Sequence, residues 1–153
     1  MDKLIGRHKE QSILKNCLES GRSEFVVIYG RRRIGKTFLV RRFFNDTYDF
    51  SFVGKHDMPR EQQLADFAKT LQRYSSSEFT PELKNWTQAF DGLAKLLEAK
   101  DTSRKKVIFF DEMPWMDTPK SDFVSSLENF WNGWAAMRDD IVFVACGSAT
   151  SWM

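Results

Sequence analysis

The stretch Phe25-Val-Val-Ile-Tyr29-Gly30, followed by Arg31-Arg-Arg-Ile-Gly35-Lys36-Thr37 and then Phe38-Leu39-Val40, constrains the fold more than any other part of the chain. A continuous apolar run of β-branched and aromatic residues that ends at a glycine reads as a strand buried on both faces of a parallel sheet. Beyond Gly35, the spacing of Phe38, Leu39, Val40 and Phe43-Phe44 is that of a helix. The segment is therefore strand, loop and helix in immediate succession.

The rest of the chain repeats this alternation. Ile13, Leu14, Cys17 and Leu18 line one face of a first helix over residues 10–18, stopped by Gly21. Residues 48–53 alternate loosely as a strand between Asn45-Asp46 and Gly54. Two helical stripes follow. Leu64, Phe67, Ala68 and Leu71 make the first; after Ser75-Ser-Ser77, Trp86, Ala89, Phe90, Leu93 and Leu97 make the second, with Pro81 near its first turn. Residues 106–110 form a third strand, a loop with Pro114 and Pro119 leads to a helix carrying Phe123, Leu127, Phe130, Trp131 and Trp134, and residues 141–146 form a fourth strand. The expected architecture is α/β: a mostly parallel sheet in a three-layer α/β/α sandwich.

Gly30 to Thr37 matches G-x-x-x-x-G-K-[ST] in the strand-to-helix setting that gives this pattern its meaning. Gly30 and Gly35 let the loop fold back so that successive backbone N–H groups, those of Arg31, Arg32, Arg33 and Ile34 among them, converge on phosphate oxygens. Lys36 is placed to reach the β- and γ-phosphates of a nucleoside triphosphate, and the Thr37 hydroxyl to ligate Mg²⁺ between them, with Phe38 next on the helix. Residues 22–42 carry seven cations (Arg22, Arg31, Arg32, Arg33, Lys36, Arg41 and Arg42) against the single acid Glu24, a concentration that favours a polyphosphate.

The third strand ends in Asp111-Glu112, and the crevice of an open α/β sheet lies beyond the carboxyl ends of its strands. Asp111 is the expected metal ligand, and Glu112 the group that orients and deprotonates an attacking water. The fourth strand runs into Cys146-Gly-Ser148-Ala-Thr150, which makes Ser148 a candidate to sense the γ-phosphate or hold the water, with a plain turn serine as the equal alternative. His8 and His56 fall outside any catalytic spacing.

A formal net charge of +2 over 153 residues indicates neither a dedicated nucleic-acid binder nor an acidic tail. The longest wholly apolar run, residues 141–146, is far shorter than the roughly 20 residues a membrane helix needs, so a cytoplasmic protein without a membrane partner is expected. Cys17 and Cys146 sit in apolar settings as reduced packing residues rather than a disulfide framework. The 14 Phe, 5 Trp and 3 Tyr read first as core, and second as a contact surface.

Taken together, Ile5-Gly-Arg-His-Lys-Glu10, the loop Gly30 to Thr37, Phe109-Phe-Asp-Glu-Met-Pro-Trp115 and Cys146-Gly-Ser-Ala-Thr-Ser-Trp152 resemble the archaeal-type AAA+ P-loop ATPases, within or near the STAND signalling group. The resemblance implies that Gly6, Arg7 and Glu10 lie by the adenine of ATP, that Asp111 binds Mg²⁺, that Glu112 primes water and that Ser148 is a phosphate sensor. It also implies strand order 5-1-4-3-2, and a chain that continues into a fifth strand, a helical lid and often an effector domain. Residues 1–153 are on this basis expected to be the incomplete N-terminal part of an ATPase domain, with the strand at residues 25–29 as an exposed edge.

The function expected is Mg²⁺-dependent ATP binding and hydrolysis that switches a downstream effector, with slow turnover where no lid or trans arginine stabilises the transition state. A nucleotide-dependent interaction module, with Trp131, Trp134 and Trp152 in its partner surface, is the alternative from another class. A P-loop kinase fits the loop but not the Asp111-Glu112 pairing. Homo-oligomer formation and a nucleic-acid partner stay open, and GTP is disfavoured by the lack of an Asn/Thr-Lys-x-Asp motif.

Overall fold

Successive residues of a strand point to opposite faces of a sheet, and the strand Lys106–Asp111 (β3) buries both. Its Ile108 and Phe110 enter one core, its Val107 and Phe109 another. The strand Ile141–Ser148 (β4) divides in the same way, with Phe143 and Ala145 on one face and Val142, Val144 and Cys146 on the other. Outside them lie β1 (Glu24–Gly30) and β2 (Phe50–Val53), giving the order β1-β4-β3-β2 with every pair parallel. The computed structural model describes residues 8–30, 35–100 and 103–148.

Helices cover both faces, as the alternating apolar segments require. Leu14 and Cys17 of α1 (His8–Glu19) and Val40 of α2 (Lys36–Phe43) seal the smaller core. The other core is built by α3 (Arg60–Ser75), α4 (Trp86–Glu98) and α5 (Phe123–Phe130), and is dominated by rings. Phe67 is surrounded by Phe50, Phe52, Trp86, Phe90 and Phe110 at centroid separations of 5.0 to 6.3 Å, within the range of favourable ring pairs. Most of the unusual aromatic content thus serves packing. Trp131 stands edge-on to Phe25, and Trp134 lies on Phe130 and donates to Glu98, so the fold itself uses two rings proposed for a partner surface; Trp152 lies outside the described residues.

Several sequence expectations shift. β1 is not buried on both faces: it is an outer strand, with Val27 47% and Tyr29 58% exposed, as the strand-order argument anticipates. β2 begins at Phe50 rather than at residue 48, because the Asp49 carboxylate turns inward to accept the Val107 N–H at 2.7 Å and the Arg104 guanidinium at 2.8 Å. Pro81 does not open α4. Asn85 does, its side chain accepting the Gln88 N–H at 2.8 Å as a cap. The loop after β3 contains a 3₁₀ turn at Met113–Met116, and α5 widens into a π-helical turn at Trp131–Ala135. Both cysteines are buried thiols, as expected.

Charged clusters pin the elements. The Asp122 carboxylate accepts from Arg60 at 2.9 Å and from the Trp86 N–H at 3.0 Å, tying together the starts of α3, α4 and α5. Burial raises its pKa, but the Arg60 and Trp86 hydrogen bonds outweigh that and hold it below the usual carboxylate range. At the amino ends of the strands, the wholly buried Lys106 ammonium meets Asp140 at 2.8 Å, and Arg138 grips the same carboxylate with two bonds of 2.8 Å. Arg138 holds the Asp140 pKa down to about 2 against burial, with Lys106 assisting.

Two predictions follow from this geometry. A Cβ on Gly54, just past β2, would strike the backbone carbonyl oxygen of Glu112, and backbone cannot swing aside as a side-chain tip can. Gly54→Ala is therefore expected to destabilise by about 1–3 kcal/mol in urea unfolding, and an unchanged midpoint would refute the close approach. Because the folded Asp140 pKa lies below its unfolded value near ~3.9, the stability it contributes is fully present above about pH 4 and is lost as pH falls through about 2. Asp140→Asn should remove that acid dependence and, by leaving Lys106 buried without a counter-charge, cost about 3 kcal/mol at neutral pH.

Candidate functional site

Parallel pairing puts the carboxyl ends of all four strands along one edge of the sheet. Gly30 is the register partner of Ser148, and Val53 that of Asp111. At this edge lie the end of β1 and, just before α2, Gly35, whose φ of 82° and ψ of 16° fall in the left-handed region that suits a residue without a Cβ. Gly35 caps α2 with no side-chain bond to its first N–H groups. Those donors and the positive end of the helix are left for an anion.

Thr37 stands in that first turn, and its hydroxyl donates to both oxygens of Asp111, at 3.2 and 3.1 Å. The helix after β1 and the end of β3 thus meet across the intervening β4. Glu112, next in sequence, takes the left-handed conformation at φ 49° and ψ 41°, uncommon for a residue with a side chain. Its N–H bonds back to Asp111 Oδ1 at 2.9 Å. Glu112 Oε1 is buried and meets no hydrogen-bond partner among the described residues. A buried carboxylate oxygen without a donor is costly, and such an oxygen marks a place where a further donor belongs.

A hydroxyl and a carboxylate side by side are hard oxygen donors. That is too few for a calcium-like cage, and suits an ion that keeps several waters and shares the phosphates of its substrate, as Mg²⁺ does. No group of three or more His, Cys, Asp or Glu able to hold a metal occurs among the described residues.

The remaining sequence-selected residues are distributed around this centre. Lys36 opens α2, and Gly30 and Ser148 pair at the strand ends. Phe38 is half exposed beneath the Arg42 guanidinium, 5.7 Å from the ring centroid, in a groove of 540 Å³ shared with Arg41, Asn45 and Asp46. Gly6, Arg7, Arg31, Arg32, Arg33 and Ile34 lie outside the described residues. His56, set aside on spacing, packs against Trp115 with ring centroids 4.3 Å apart and planes tilted by 52°. No helix among the described residues is long and apolar enough to cross a membrane.

Two residues at the site escape sequence reasoning. Gly54 donates its N–H to the Asp111 carbonyl at 2.9 Å, an approach hinted at only by a glycine immediately after a strand. Gln63 is 1% exposed, and its carboxamide bonds to Trp115, Met58 and Lys55, backbone groups on two different loops. A polar residue flanking an apolar helical stripe gives no signal of this.

The chain is 30% identical over 115 residues to the uncharacterized protein MJECL04 of Methanocaldococcus jannaschii, covering 72% of this chain and 22% of that one. A second protein of that organism, the uncharacterized ATP-binding protein MJ0423, is 31% identical over 42 residues, 28% of this chain and 71% of the relative. Among solved structures, the Aeropyrum pernix ORC2 protein in its ADPNP–ADP complexes superposes with a TM-score of 0.61 at 18% identity, over 93% of this chain and 41% of that chain. The chain therefore spans about a fifth of MJECL04 and under half of ORC2. The superposition shows the α/β fold of P-loop NTPases. The sequence pattern of one family, described as an ATPase domain predominantly from Archaea, matches residues 4–153, and the chain belongs to that family.

Proposed function

We propose that this domain binds ATP with Mg²⁺ at the carboxyl edge of its sheet and hydrolyses it, and that loss of the γ-phosphate is a conformational switch for an attached effector. The observation that carries the reading is the double contact of Thr37 with Asp111, which joins the glycine-hinged loop to the acidic strand end. Membership in an ATPase family and a structural relative solved with ADPNP and ADP support it.

In this mechanism the backbone from Gly30 to Thr37 cradles the phosphates, and Lys36 neutralises the β- and γ-oxygens. Thr37 and Asp111 would hold Mg²⁺, which when bound draws charge from the phosphate oxygens. Glu112 Oε1, left without a donor among the described residues, accepts a hydrogen bond from the attacking water and takes its proton. The water oxygen forms the new bond to the γ-phosphorus as the bridging P–O bond breaks and the electron pair leaves on ADP. Ser148, beside Gly30 in register, would register the presence of the γ-phosphate, while Gly6 and Arg7 would lie by the adenine. The chain spans 22% of MJECL04 and 41% of ORC2, lengths that leave room for an effector and a lid in a longer chain of this kind.

Two substitutions test the reading separately. Lys36→Ala should abolish tight Mg-ATP binding in calorimetry; unchanged affinity would contradict the phosphate assignment. Glu112→Gln keeps the shape but cannot accept a proton, so it should retain binding while turnover falls by about 10²–10⁴-fold in phosphate release. Turnover equal to that of the unsubstituted protein would remove Glu112 as the base. Full retention of cellular output by this variant would instead favour a binding module in which hydrolysis is incidental.

A further inference from the structure

Gln63 is buried in the first turns of α3, one residue before the apolar stripe begins with Leu64. Burying a carboxamide is unfavourable unless its polar atoms are bonded, and here both ends are. Its Nε2 donates to the Trp115 carbonyl at 2.9 Å and to the Met58 carbonyl at 3.2 Å, and its Oε1 accepts the Lys55 N–H at 3.3 Å. An apolar side chain of equal size would fill the space. Only an amide fixes the direction of three backbone groups on two loops.

Those groups lead directly to the acid. The Trp115 N–H donates to the Glu112 carbonyl at 3.1 Å, closing the turn in which Glu112 is held left-handed. From the other side, Gly54 bonds to the Asp111 carbonyl, and its lack of a Cβ admits the Glu112 carbonyl oxygen. The loop after β2 and the turn after β3 are thus joined at Gly54–Asp111 and again through Gln63, with Glu112 between the two ties.

We infer that Gln63 is a positioning residue for hydrolysis: its carboxamide holds the Trp115 carbonyl, and through it the strained turn that aims Glu112 at the attacking water. This rests on the reading of Glu112 as the base. Gln63 bonds to Lys55, Met58 and Trp115 rather than to Thr37 or Asp111, so its removal is expected to change nucleotide affinity little. The chemical step is not, because a displacement of about 1 Å at a reacting group can cost up to 10²-fold in rate.

The test compares Gln63→Met, which removes all three bonds at similar volume, with Gln63→Glu, which keeps the acceptor for Lys55 but loses both amide donors. In each folded variant kcat should fall about tenfold or more, while KM and Mg-ADP affinity change by less than about twofold. In a Glu112→Gln background, Gln63→Met should add no further loss, since the group it positions is already inert. An unchanged kcat in either variant, a parallel loss of affinity and turnover, or an undiminished tenfold effect in the Glu112→Gln background would each overturn the inference. Failure of the hydrolase reading looks different: the unsubstituted protein and Glu112→Gln would then show the same phosphate release, and the inference would fall with it.

Discussion

Thr37 can reach Asp111 only if the ends of β1 and β3 stand at the same level with β4 between them. Everything else at the site depends on that alignment. The two residues are 74 positions apart, and no local preference brings them together. The parallel registers do, Gly30 against Ser148 on one side of β4 and Phe110 against Ala145 on the other. A slip of one residue would exchange the faces of β3 and drive Phe110 out of the aromatic core, so the packing that stabilises the sheet also sets the reach of the threonine.

The two faces of the sheet divide the work. The face with the smaller core carries α2, whose amino end bears Gly35 and Thr37. The aromatic face carries α3, α4 and α5, gathered at their starts by Asp122, and it supports the turn after β3 through buried Met113 and Met116. Glu112 sits where the turn backed by the aromatic face meets the strand edge, held in an unfavourable backbone conformation with an unsatisfied buried oxygen. Strain and an orphaned acceptor persist only where the surroundings over-determine them. Here the surroundings are the Gly54 contact and the bonds around Trp115.

Much of the fold is legible in the sequence because its signals are local and strong. The apolar run of β3 is buried throughout, and the helical stripes at Leu64 to Leu71 and Trp86 to Leu97 face the core. The loop between Gly30 and Thr37 announces its chemistry by residue type and spacing. What was misread follows from competing interactions. Tyr48 and Asp49 have strand-like spacing, but the Asp49 carboxylate takes the Val107 N–H, and Pro81 suits a helix start, but the Asn85 cap prevails. The apolar run of β1 by itself reads as a strand buried on both faces, whereas the strand order implied by the family resemblance places it at the edge, where it lies.

The sequence alone determined which atoms are available at the site: a glycine-hinged run of amides, a hydroxyl, and two adjacent carboxylates at the end of an apolar strand. These follow from residue type and short-range spacing, which do not depend on the rest of the chain. Only the tertiary structure decided how they are aimed. Glu112 is turned left-handed, Gly54 must lack a side chain, and Gln63 bridges two loops because of contacts between segments remote in sequence, where each partner is defined by the packing of the others.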